Sequence, residues 1–214
     1  MGELRLLYFL GSYEFRIGRI EMKSNSMFAM AMEAHLDGVP HIENELTAYV
    51  KLKDLYDVTS IASHTETHEQ WQIPMESKKA KARIRLTDGV EYSHTIKENT
   101  KHDGVSVESE GEITKSFFEV MRRSLAKNGY LKTRHVIEIE NSDRVWEIDV
   151  FKKYNGEPSL WVKLDYEFGD GETKLPEIPF DYDDIIIPSI EEGRDEEVSK
   201  LWDEEWAKLD DKDS

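Results

Sequence analysis

The chain of 214 residues has no cysteine. That excludes a disulfide framework and thiolate metal sites, and it fits a reducing compartment. No apolar run approaches the roughly 18 residues that a membrane span requires. Glu3 and Arg5 stand too early for a secretory leader. The expectation is a cytoplasmic protein with no membrane partner. A glycine-rich phosphate loop, internal repeats and a flexible linker are all missing. Net positive charge is missing too: the formal charge is −17, which argues against general nucleic-acid binding. The imbalance is uneven, because residues 181–214 carry 14 acids against 4 bases and the first 180 residues carry only −7. A local basic cluster is permitted in that earlier part.

What is present is charge at every second position. It runs through Lys81-Ala-Arg83-Ile-Arg85, Tyr92-Ser-His-Thr-Ile-Lys97, Glu108-Ser-Glu110-Gly-Glu112, Lys132-Thr-Arg134 and Trp146-Glu147-Ile-Asp149-Val-Phe151. In an extended strand this period places the charges on one face. Several successive strands doing so with both signs point to a shared polar interior rather than to separate wet faces.

The remaining punctuation predicts strands at 3–10, 13–23 and 27–36. Pro40 predicts the first turn of a helix reaching Leu55, with Ile42, Leu46, Tyr49 and the stem of Lys53 on one face. Residues 57–73 predict one long strand. Strands at 80–87 and 90–98 flank Asp88-Gly89, a strong hairpin signal, and a strand at 104–112 follows. A helix over 114–127 is expected to bury Phe117, Val120, Met121 and Leu125 and to stop at Asn128-Gly129. Strands at 131–140, 144–152 and 158–168 come next. Residues 169–190 read as irregular, and 195–209 as an acidic helix with Val198, Leu201, Trp202 and Trp206 on one side. The fold class expected is mainly β: a closed or nearly closed antiparallel barrel of eight to nine strands with two or three flanking helices. Residues 1–190 form the barrel domain in this reading. Residues 191–214 form an acidic helix, packed on it or available to a partner.

The ordered series Ala82-Arg-Ile-Arg-Leu86, Thr95-Ile-Lys97, an acidic strand, a helix, Lys132-x-Arg134 and Trp146-Glu-Ile-Asp-Val-Phe151 resembles the CYTH superfamily, the triphosphate tunnel metalloenzymes. The resemblance covers about residues 68–168. It implies an eight-stranded antiparallel tunnel with a basic half that grips a phosphate chain and an acidic half that holds Mg²⁺ or Mn²⁺. It implies cleavage of the terminal phosphate from tripolyphosphate, a nucleotide or a triphosphate-ended RNA. Arg suits phosphate through its forked donors and Lys as a point charge. The hard metals prefer oxygen ligands.

Carried over by position, Lys81, Arg83, Arg85, Lys97, Lys132 and Arg134 would bind phosphate. Glu108, Glu110 and Asp149 would be catalytic. Glu108, Glu110, Asp149, Asp165 and Glu21 would hold metal, with Glu33 as a fallback. One of Glu147 and Asp149 is expected to face inward. The sequence departs from the family in three places. The opening Glu-x-Glu-x-Lys is sought in Arg19-Ile-Glu21-Met-Lys23 or Ala31-Met-Glu33-Ala-His35. Ser106 stands for an arginine, and Val162-Lys163-Leu-Asp165 stands for a strand with two acids. A tunnel that only binds or sequesters a nucleotide or polyphosphate is therefore an alternative, favoured by Lys163. An interaction protein acting through the acidic C-terminal helix is a third. His64-Thr-Glu-Thr-His68 lacks the order of a zinc helix, and its histidines are expected at the surface.

Overall fold

Alternating charge does become strand across the central chain. The structure is a computed structural model and describes residues 9–10, 13–14, 41–77, 79–99, 105–169, 176–188 and 195–209. Residues 1–34 form one compact unit and residues 35–214 another. In the first, β1 (Phe9–Leu10) and β2 (Tyr13–Glu14) pair antiparallel. The expected strand at 27–36, Glu21 and Glu33 lie outside the described residues.

The second unit contains β3 (His41–Leu52), α1 (Tyr56–Thr59), β4 (His64–Ile73), β5 (Ala80–Thr87), β6 (Glu91–Asn99) and β7 (Val105–Glu112). It continues with α2 (Lys115–Ser124), β8 (Lys127–Glu138), β9 (Val145–Lys152), β10 (Pro158–Glu167), β11 (Tyr182–Ile186), α3 (Asp195–Lys200) and β12 (Lys208–Leu209). The strand order is β10-β9-β8-β4-β5-β6-β7-β3, and β3 pairs back to β10. Eight antiparallel strands thus close into a ring, as expected. Closure removes the sheet edges along most of the circuit.

Several expectations fail here. The helix predicted at Pro40–Leu55 is β3. Its true period is two: Ala48, Val50 and Leu52 are buried on the outer face, while Glu43, Glu45 and Thr47 share the other. The long strand predicted at 57–73 begins only at His64; α1 precedes it and buries Val58. The irregular stretch 169–190 also contains β11, which continues the sheet beside β3.

The outer face of β3, β9 and β10 is covered by a cluster that includes Val50, Ile148, Trp146, Leu164 and Phe180. The outer face of β5 and β6 is covered by α2, capped by Thr114 Oγ1, which accepts from the Phe117 amide. Its buried side is Phe118, Met121 and Arg122, not the expected Phe117, Val120 and Leu125; Val120 is exposed. Asn128-Gly129 lies within β8 rather than ending a helix. Asn128 has φ 51° where the register against Trp71-Gln72 shifts, a bulge that seats Gly129 against the Trp71 ring.

The inner face is apolar at one end. Tyr49, Tyr130 and Phe151 project there and meet Leu201 and Trp206. Trp202 and Trp206 point toward the ring: Trp202 Nε1 donates to Tyr49 Oη at 3.2 Å, and Trp206 Nε1 donates to the Trp161 carbonyl at 3.2 Å. α3 runs on into a wider π-type turn over Leu201–Glu205. β12 then pairs with β8, with Lys208 opposite Tyr130.

Candidate functional site

Register fixes which side chains share the interior. Lys81 faces Lys97, Arg83 faces Thr95, and Arg85 faces Gln70 and Ser93. Lys97 faces Glu108, Thr95 faces Glu110, and Arg134 faces Asp149. Lys163 faces both Asp149 and Tyr49, and Asp165 faces both Glu147 and Thr47. Directly opposed residues lie on the same side of a sheet, so both signs converge inside the closed ring. Glu147 and Asp149, two positions apart, both face inward; the expectation that only one would do so is corrected.

The basic side is the row Lys81, Arg83 and Arg85. Arg85 is 8% exposed, and its Nε and Nη2 have no hydrogen-bond partner; neither does Nε of Arg83. Burial, with Arg83 and Arg134 nearby, pulls the Arg85 guanidinium down to about 10. Burial also lowers Lys81, and Lys163 from β10 across the ring lowers it further. A buried guanidinium with unpaired donors, crowded by like charges, is costly unless an anion joins it.

The acidic side carries its own cations. Lys97 places Nζ 2.7 Å from Glu43 and from Glu45 and 3.8 Å from Glu108. It is thus a counter-ion of carboxylates rather than a member of the basic row. Lys132 pairs with Asp149, Arg134 with Asp149 at 2.8 Å and with Glu147, and Lys163 with Asp165. Thr47 Oγ1 donates to Asp165 at 2.7 Å. Burial alone would raise Asp149, but Lys132 and Arg134 outweigh it and hold the carboxyl well below the usual carboxylate range. Burial would lower Lys163, but Asp165 and then Glu45 hold it above the ordinary lysine value. Glu108 behaves differently: burial, helped by Glu43, pushes it up to about 7 against Arg83 and Lys97. Glu110 accepts from Thr95 Oγ1 at 3.1 Å and is exposed.

A Glu-x-Glu pair, expected near Glu21 or Glu33, also occurs as Glu43-Asn-Glu45 at the start of β3, followed by Thr47. Reading 40–55 as a helix hid it. The signal was available, since Glu43 and Glu45 show the same period-two spacing as Arg83 and Arg85. His68 was also misplaced: it is 1% exposed, on the inner wall opposite Lys132. Glu66 bridges His64 at 3.0 Å and His68 at 2.9 Å. Burial and then Lys132 pull His68 down to about 4, so it is neutral at pH 7.

The implied Mg²⁺ or Mn²⁺ does not fit this donor set. Glu43, Glu45, Asp149 and Asp165 each already hold a lysine or arginine nitrogen. Among the described residues, no group of three or more His, Asp or Glu is arranged to take a metal. Also among them, no helix is long and apolar enough to cross a membrane.

No family model matches the chain, and no curated protein matches it. Similar solved structures include the inorganic triphosphatase NE1496, 19% identical over 69% of this chain and 88% of that one, with a TM-score of 0.42. HpAC1 from Hippeastrum, a protein with a dominant triphosphatase activity, is 16% identical over 59% and 79%, with a TM-score of 0.42. PH1819 from Pyrococcus horikoshii is 20% identical over 62% and 79%, with a TM-score of 0.41. Likeness at this level assigns neither substrate nor residue roles to this chain.

Proposed function

We propose that the ring binds the phosphate chain of a triphosphate-bearing ligand, a small molecule or an RNA 5′ end, against Lys81, Arg83 and Arg85. The observation that carries this is the Arg85 guanidinium, buried inside a closed ring with two nitrogens unpaired. Such an arrangement is a standing cost to the empty protein, and a polyanion relieves it through charge-assisted bonds. The aromatic end of the ring favours a ligand that enters from the charged side.

Hydrolysis of the terminal phosphate is the second reading. It is favoured by Glu108, which titrates at about 7 and lies 3.8 Å from Arg83. A carboxylate of that pKa beside the basic row is suited to take a proton from an attacking water. Glu110 and Asp149 have less to offer: one is exposed and the other is locked between two cations.

A screen of tripolyphosphate, nucleoside triphosphates, thiamine triphosphate and triphosphate-ended RNA tests both readings, with and without Mn²⁺. Binding is read as a rise in melting temperature, since a ligand of the folded state stabilises it by mass action. Hydrolysis is read as phosphate release. A rise without release supports the binding reading alone. No rise with any compound defeats both.

A further inference from the structure

Position 163 is where the family pattern has a carboxylate and this chain has a lysine. Lys163 pairs with Asp165 on the same strand and stands opposite Asp149 across β9 and Tyr49 across β3. Further round the wall, Lys97 lies within 2.7 Å of both Glu43 and Glu45. The two lysines therefore sit among the acids that would otherwise gather a dication.

A divalent ion entering here would have to displace an ammonium from each carboxylate it used. It would also remain close to the displaced charge, and like charges repel strongly where water is largely excluded. An ammonium can instead do the electrostatic half of a metal's work. It has three donors. Lys163 commits one to Asp165, and the others can meet phosphate oxygens. It cannot acidify a bound water as a metal does, so any turnover would fall to Glu108.

We propose that Lys163 and Lys97 are tethered counter-cations that replace the divalent metal of this kind of chamber, so that the phosphate chain is bound without metal. The proposal rests on the binding reading above. It predicts that ion-pair chemistry, not coordination, joins the acidic wall to the ligand.

The test is calorimetric titration of inorganic tripolyphosphate into the full chain, in EDTA and again in millimolar Mg²⁺. The affinity in EDTA should equal or exceed that in Mg²⁺. Lys163→Gln should weaken binding in EDTA about 10- to 100-fold, the worth of one charge-assisted bond. Paramagnetic resonance of Mn²⁺ with the unliganded protein should show no tight uptake by the natural chain and one bound ion in Lys163→Glu. Binding that appears only with Mg²⁺, or tight Mn²⁺ uptake by the natural chain, overturns this proposal while leaving the binding reading intact. Absence of binding in both buffers overturns the two together. The EDTA comparison uses the natural chain, so it stands even if a variant fails to fold.

Discussion

Trp206 lies flat on Phe151, with ring centroids 4.0 Å apart and planes 17° from parallel. Phe151 projects from the ring wall two positions after Asp149, and Trp206 comes from the C-terminal segment. The apolar side of that segment is therefore part of the core. Trp206→Ala should cost about 3–5 kcal/mol, as removal of a fully buried large aromatic does. Urea denaturation followed by circular dichroism checks this. A loss under 1 kcal/mol would mean that the acidic segment is not needed to hold the ring.

Arg85 gives a prediction of opposite sign. Its burial without a full set of partners costs stability that the protein keeps for binding. Arg85→Met should raise the urea midpoint, by about 1 kcal/mol or more in stability. The same variant should lose the rise in melting temperature that tripolyphosphate produces. If Arg85→Met is destabilised instead, the guanidinium is a structural element.

Glu108 links the site to pH. Its folded pKa of about 7 lies above the ordinary 4.5, so the folded state holds this proton more tightly than the unfolded one. Stability from this group is full below about pH 4.5 and is lost as pH rises toward 7. The loss is at most roughly 3 kcal/mol. Glu108→Gln removes the titration and should gain on the natural chain between pH 5 and pH 8. A constant difference in melting temperature across that range would contradict the assignment. Ligand affinity in the natural chain should fall over the same range, because ionised Glu108 competes with phosphate for Arg83.

Gly129 tests the bulge. A Cβ there would meet the Trp71 ring at 2.7 Å. Trp71 is buried and carries Arg122 5.6 Å above its ring, so it has little room to yield. Gly129→Ala should cost about 1–3 kcal/mol, measured by urea denaturation. A neutral result would show that the β4–β8 junction can relax.

The strands were legible where one face is charged and the other apolar. Arg83 with Arg85 and Lys132 with Arg134 mark the inner wall by charge alone, and Asp88-Gly89 marks a turn whose φ values of 50° and 73° require such residues. β3 was not legible because Pro40 and the spacing Ile42, Leu46, Tyr49 imitate a helix. Toward its end Tyr49, buried on the inner side, sits between Ala48 and Val50, buried on the outer side. A strand buried on both faces loses the polar half of its alternation. The partner of Lys97 was not readable for a different reason. Glu43 and Glu45 come from a strand more than fifty residues away, and the pairing of β3 with β7, the neighbour of β6, brings them to it.

The most direct test of the account is calorimetric titration of tripolyphosphate into the natural chain and into Arg85→Met, compared in the same low-salt buffer. The account predicts saturable binding of one ligand per chain, weakened at least about 10-fold by the substitution. Equal binding by the two proteins, or none by the natural chain, would contradict it.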